Sequence, residues 1–176
     1  MMFRIALFGY CVFDILLDYT FVYYGYKRGT KYGFLLSAFI WAFFVCTTPI
    51  PEAGLLLSFP LKHFFDVPMD ISQIFISIFA LILLYLFYNN SFTLLKSITI
   101  GRIFNKIIHF NLYSVFAACI FASIAGAFLI DQGIDKFFLF KDNLDINKII
   151  ISTLVMIILN IYYFYILHKK NIWIKH

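Results

Sequence analysis

The chain has 176 residues, of which 63% are hydrophobic and only 13% are charged, with a net charge of +5 and a pI near 9.1. So few charged side chains cannot coat a water-soluble globule of this length, and the composition therefore excludes an ordinary soluble protein. The length favours one domain, and we predict a single integral membrane domain over residues 1–176.

Hydropathy divides the chain into five apolar runs, at about residues 5–25, 33–46, 71–88, 112–130 and 149–167. A helix needs roughly 20 apolar residues to cross the hydrocarbon core, so the second run is short unless Tyr32 and Thr47 are included. No run shows the alternation of a barrel strand, and backbone exposed to lipid must bond within its own helix. We therefore predict an all-α, polytopic membrane helix bundle with about five transmembrane helices.

Two aspartates, Asp14 and Asp18, interrupt the first run. Their spacing of four places both on one face of a helix. A carboxylate at the bilayer centre costs about 3 kcal/mol on insertion scales, and it normally faces the bundle interior, water or a cation. Two carboxylates one turn apart also repel each other, which favours a shared proton or cation. The pair thus predicts a proton- or cation-binding site; the alternative is a place near the outer interface, or structural pairing with tyrosines or Asn160.

The second run ends in a break that contains two prolines, Pro49 and Pro51. Proline stops a helix but is tolerated in a first turn, so a short new helix is expected from about Leu55, with Glu52 near its start. That helix is too short to span. It is either a re-entrant half-helix, whose exposed ends bind ions or substrates, or an interfacial half-helix lying flat at the outer surface.

These features define the candidate site residues. The predicted ion- or substrate-binding set is Asp14, Asp18, Thr47, Thr48, Glu52 and Asn160. The predicted outer mouth above it consists of Lys62, His63 and Asp66.

An amphipathic segment lies between the third and fourth runs, at residues 92–110. Apolar residues alternate there with basic and amide residues near a helical period: Leu94, Leu95, Ile98, Phe104, Ile107 and Ile108 against Lys96, Arg102, Asn105 and Lys106. This pattern predicts an interfacial amphipathic helix on an anionic leaflet. It is either a lipid sensor or a connecting segment, and we favour the connecting segment.

The fourth run carries a stripe of small residues at every fourth position, Ser114, Ala118, Ala122 and Gly126. Such stripes let another backbone approach closely, where lipid provides no hydrophobic driving force between helices. The partner is a helix of this chain, a second copy in a homo-oligomer, or another membrane protein.

The charged loops predict an orientation. One side carries the basic groups Lys27, Arg28 and Lys31, then Lys96, Arg102 and Lys106, then Lys169, Lys170 and Lys175; the other carries Glu52, Asp66, Asp70, Asp131, Asp135, Asp142 and Asp145. The positive-inside rule places the N-terminus outside and the C-terminus in the cytoplasm, in a plasma membrane such as the bacterial inner membrane. The cations are dispersed at helix ends, which excludes nucleic acid as a partner.

Motifs for a metal, a cofactor or a catalytic centre are absent from the sequence, which does not favour an enzyme. Intramembrane carboxylates lead us to predict a small transporter or channel for a proton, cation or small solute. The alternative is a non-transporting subunit or assembly factor that docks helices of a larger complex. A third hypothesis is an enzyme acting on a lipid or lipid-linked substrate at the outer face through Glu52, His63 or Asp66.

Overall fold

The computed structural model describes residues 2–90, 98–138 and 145–169, with side chains from residue 11 onward except Glu52 and residues 136–138. These ranges contain seven helices and no strand. The helices are α1 (Met2–Arg28), α2 (Thr30–Thr47), α3 (Glu52–Phe65), α4 (Met69–Asn90), α5 (Thr99–His109), α6 (Tyr113–Phe138) and α7 (Ile146–Lys169). The predicted all-α fold is confirmed.

Four helices, α2, α4, α6 and α7, are long and apolar enough to cross a bilayer. They match the second to fifth apolar runs, and α2 reaches 18 residues because it includes both Tyr32 and Thr47. The first run lies in α1, which has 27 residues. That α1 also crosses, which would give five spans, stays a prediction. The chain is a helical membrane protein.

The bundle is built around α2. Helices α1 and α2 form an antiparallel hairpin separated only by Gly29, while α4 and α6 pack against α2, and α7 packs on α6. The ring of Phe39 on α2 meets Phe87 of α4 and Phe104 of α5, with centroids 5.6 and 5.7 Å away. Following the predicted orientation, we call the end with α5 the inner end and the opposite end the outer end.

Helix α7 exposes large apolar side chains along most of its length, among them Ile150, Leu154, Ile158 and Ile161. Helix α4 does the same with Phe75, Ile78 and Ile82. Continuous apolar surface of this kind is rare on soluble monomers, whereas in a bilayer it faces acyl chains. The exposure pattern therefore agrees with the membrane fold.

Helix α5 is the amphipathic helix between the third and fourth runs. It buries Gly101, Phe104 and Ile107 against the bundle and exposes Arg102. An amphipathic helix is thus confirmed over Thr99–His109, and its place at a membrane interface stays a prediction. The predicted stripe members Leu94, Leu95 and Lys96 lie outside the described residues.

Helix α6 is longer than the sequence indicated. The apolar run ends at Ile130, but the helix continues to Phe138 and carries Asp131 and Asp135 in its last turns. The prediction that these two aspartates lie in a loop was therefore wrong. Hydropathy marks where apolar residues stop, whereas a helix continues through charged residues when a neighbour pairs with them. Asp142, assigned to the same loop, lies outside the described residues.

Candidate functional site

The break between α2 and α3 is attached to α6 and α7 by hydrogen bonds to its carbonyl groups. The hydroxyl of Ser123 donates to the carbonyl oxygens of Thr48 and Ile50, at 3.1 and 3.2 Å. The amide of Asn160 donates to the carbonyl of Pro49 at 3.4 Å. These side chains satisfy carbonyl groups that no longer have helical partners. Thr48 and Asn160, both predicted site residues, meet here.

The break lies within the bundle. At 1.5 Å per residue, Ser123 is about 12 Å along α6 from Asp131 at the outer end. One turn from Ser123, an added Cβ on Gly126 would lie 2.9 Å from the Cδ of Pro51, so the absence of a side chain admits the proline. Ala118 and Ala122 of the same stripe are buried, whereas Ser114 is exposed. At Gly126, the close-packed partner is thus the proline break of this chain.

Helix α3 is the half-helix that the prolines predicted. Its first half is inserted between neighbouring helices, where the indole Nε1 of Trp41 donates to the carbonyl of Ala53 at 2.9 Å. Its last residues, Phe64 and Phe65, are exposed, and it ends at Asp66 in the left-handed region, with φ of 51°. One end of the half-helix is inside the bundle and the other reaches the surface.

Behind α3 lies a set of buried polar side chains. Gln73 is 0% exposed and Ser77 is 1% exposed, and they are one turn apart on α4. The hydroxyl of Ser58 bonds the Oε1 of Gln73 at 3.3 Å and the carbonyl of Gly54 at 3.1 Å. A Cβ on Gly54 would overlap the Gln73 amide. The Nε2 of Gln73 and the hydroxyl of Ser77 are buried and have no hydrogen-bond partner among the residues that the structure describes.

The outer half of α3 is held by ion pairs. The Nζ of Lys62 lies 3.2 Å from Asp131 and 3.3 Å from Asp135, and exposed side-chain fractions are 11%, 8% and 18% in that order. The backbone N–H of Met69, at the start of α4, donates to the other oxygen of Asp131 at 3.3 Å. Burial lowers the pKa of Lys62, but the two carboxylates outweigh burial and raise it above 10.5. We call Lys62, Asp131 and Asp135 the latch.

The predicted outer mouth is assembled in part. Asp66 also pairs with Lys62, at 3.5 Å, but its side chain is 80% exposed. The ring of His63 stacks on Phe59, with centroids 6.4 Å apart. The backbone of Glu52 begins α3, and its side chain lies outside the described residues. Thr47 is buried, and its hydroxyl donates to the carbonyl of Phe43 within α2.

Asp14 and Asp18 lie on α1, well separated along the bundle from the latch. Asp14 is half-buried and Asp18 is exposed. The hydroxyl of Ser37 on α2 donates to the carbonyl of Leu17 at 3.3 Å. Asp18, the next residue, is therefore at the same height in the bundle as Ser37. Phe39, half a turn further, contacts α5 at the inner end. Asp18 is about 15 Å along α1 from Arg28 at the inner end, and Asp14 is one turn closer to the break.

Sequence reasoning missed Gln73, Ser77, Asp131 and Asp135. Both pairs have i, i+4 spacing, which places their members on one helix face. The first pair lies inside the third apolar run, and the second lies at the same predicted end as Lys62. Polar pairs at this spacing in or beside an apolar run were the available signal.

In the described ranges, no group of three His, Cys, Asp or Glu side chains is arranged to hold a metal ion. Comparison of the chain with protein-family models, curated proteins and solved structures finds no match.

Proposed function

We propose that the chain is a small membrane transporter or channel in which α3 is a movable gate over a polar path along α4. The observation that carries this proposal is the complete burial of Gln73 and Ser77 with unpaired polar atoms behind α3. Each unpaired buried polar group lowers the stability of the fold by about 1–3 kcal/mol. A helix bundle that only needs to pack would be more stable with apolar side chains at these two positions. A solute or ion passing along α4 gives these atoms partners.

Two features support the assignment of α3 as the gate. Pro49 and Pro51 separate α3 from α2, so α3 can move without bending a continuous helix. The latch fixes its outer half through charges, and those contacts can exchange with water or with an ion. Broken helices with ends at membrane depth are a recurring device in transporters.

The carboxylates of α1 complete the proposal. Asp14 is half-buried one turn above Asp18, on a helix that packs against both α2 and α3. We assign Asp14 and Asp18 to proton or cation binding beside α2 and α3, with Thr47, Thr48 and Asn160 at the break. Glu52, at the start of α3, belongs to the same proposed set.

The test is flux in proteoliposomes. Proton entry is followed with an internal pH dye under a potassium diffusion potential, and neutral solute entry is followed by light scattering with glycerol. We expect the flux of the wild-type protein to exceed that of the Gln73→Leu variant. The matched control is Gln132→Leu, because Gln132 is a half-buried amide on a different helix, α6, and this variant should keep the wild-type flux. Equal flux in wild type and Gln73→Leu contradicts the path.

A further pair of variants tests the carboxylates. Asp14→Asn combined with Asp18→Asn should abolish proton flux or remove its pH dependence while the protein stays folded. Unchanged flux removes Asp14 and Asp18 from the mechanism and leaves the path along α4 as a separate question.

A second candidate function is supported by the exposed side of α1. Asp18 is exposed there beside large apolar side chains, among them Ile15 and Val22, at 68% and 65% exposure. A carboxylate in such a stripe favours a polar group on a docking helix, as in a subunit of a larger complex. Co-purification of one stoichiometric partner in mild detergent, lost with Asp18→Leu and kept with Asp66→Leu, would support this function over transport.

A further inference from the structure

A groove opens between α6 and α7 towards the outside of the bundle. Its volume is about 650 Å³. Apolar side chains line most of it, including Phe121, Ile124 and Phe128 of α6 and Ile151, Val155 and Ile158 of α7. The polar groups among its described lining residues lie toward one end, namely Asp70 at the start of α4, Lys148 in the first turn of α7, and Ser152 one turn further.

The groove has the depth of one leaflet. Along α7 it extends from Lys148 to Leu159, which is about 16 Å at 1.5 Å per residue. A bilayer core is about 30 Å thick, so this length corresponds to one half of it. Lys148 is then at the level of the lipid headgroups, while Leu159 is near the midplane.

The charges at its outer end are complementary to a zwitterionic headgroup. The side chain of Lys148 is 68% exposed, with its ammonium 3.1 Å from Asp145, and can approach a phosphate from the surface. Asp70 is half-buried and presents a carboxylate at the same end of the groove. A cation beside a carboxylate matches the phosphate and the primary amine of an ethanolamine headgroup.

We propose that this groove is a specific site for one phosphatidylethanolamine molecule of the outer leaflet. One acyl chain fills the groove between α6 and α7, the phosphate contacts Lys148, and the amine contacts Asp70. The inference does not rest on transport, because neither the latch nor the polar path takes part in it.

The experiment is native mass spectrometry of the full chain in mild detergent, titrated with phosphatidylethanolamine, phosphatidylglycerol or diacylglycerol. We expect one retained phosphatidylethanolamine per chain, bound at least about tenfold more tightly than the other two lipids. Ser152→Phe, which fills the groove, should abolish retention. Leu154→Phe adds similar bulk to an exposed position outside the groove and should leave retention unchanged.

Charge variants test the headgroup assignment. Lys148→Met should weaken binding of phosphatidylethanolamine, and Asp70→Asn should remove its preference over phosphatidylglycerol. Equal retention of all three lipids, or retention that Ser152→Phe leaves intact, would mean only general surface lipid and would overturn the proposal. A dimer that forms through the groove, disrupted by Ser152→Phe with no lipid bound, would overturn it as well.

Discussion

The ammonium of Lys62 lies 3.2 Å from Oδ1 of Asp131, so a residue of the half-helix α3 is joined to the outer end of α6. The ion pair connects an element that could not span a membrane to one that can. It also places a lysine against two carboxylates, Asp131 and Asp135, where all three side chains are less than one fifth exposed. The stability and the movement of α3 should therefore both depend on Lys62.

Replacing Lys62 by methionine leaves Asp131 and Asp135 without their cation. Because the group is partly buried, we expect a loss of about 1–3 kcal/mol, between the values for surface and fully buried pairs. The measurement is the apparent melting temperature in detergent. The matched control is Lys148→Met, which breaks the exposed pair with Asp145 and should change the temperature little. Equal losses in both variants would show that the latch does not stabilise the fold.

The pH dependence of stability follows from the raised pKa of Lys62. A raised folded pKa contributes stability below the unfolded value, 10.5, and that contribution is lost as the pH rises through the folded value. Lys62→Arg keeps its charge at those pH values. We expect the melting temperatures of wild type and Lys62→Arg to differ by a constant amount from about pH 7 to 9. Wild type should then fall further in strongly alkaline buffer; a constant difference throughout contradicts the assignment.

Two glycines of α6 should respond in opposite ways to alanine. In Gly126→Ala the new Cβ lies 2.9 Å from Pro51, and the break must shift, at a cost of about 1–3 kcal/mol. No atom of the described residues lies within 4 Å of a Cβ added to Gly133, so Gly133→Ala should be neutral or stabilising by about 0.5–1 kcal/mol. Thermal unfolding of both variants checks this. Similar behaviour of the two would contradict the packing of Pro51 against α6.

The hydrogen bonds from Ser123 to the break should also be measurable. Ser123→Ala leaves the carbonyls of Thr48 and Ile50 without this donor and should cost about 1 kcal/mol or more. Ser114→Ala removes an exposed hydroxyl from the same helix and should stay within about 0.5 kcal/mol of wild type. If Ser123→Ala is equally harmless, the carbonyls of the break have other partners.

Much of the fold was predictable because lipid imposes simple rules. Apolar run length located α2, α4, α6 and α7, and proline chemistry located the start of α3. The amphipathic period located α5. These signals are local, since each depends on residues within one helix and on the solvent around it.

The candidate site was harder to predict because its parts come from distant segments. Lys62 was grouped with Asp66, its neighbour in the chain, whereas its less exposed partners are on α6. Gln73 and Ser77 interrupt an apolar run in the sequence, and only tertiary packing shows that their side chains are enclosed. Ser123 lies beside the stripe of small residues in the sequence, and only the folded position of the break shows that its hydroxyl donates to the carbonyl groups of Thr48 and Ile50.

The central claim, that α3 opens a polar path along α4, is tested most directly by the water accessibility of Ser77. Ser77→Cys is placed in a Cys11→Ala background, because Cys11 is exposed while Cys46 and Cys119 are buried. The rate of modification by a small charged thiol reagent in proteoliposomes is then compared with and without Lys62→Met. The control is the Cys11→Ala background alone, which keeps the fully buried Cys119 of α6.

We predict that Ser77→Cys is modified at least about tenfold faster when Lys62→Met removes the lysine of the latch, while the Cys11→Ala background alone stays unmodified with and without Lys62→Met. If Ser77→Cys reacts no faster than that background when Lys62→Met is present, α3 does not cover a path and the gate is contradicted.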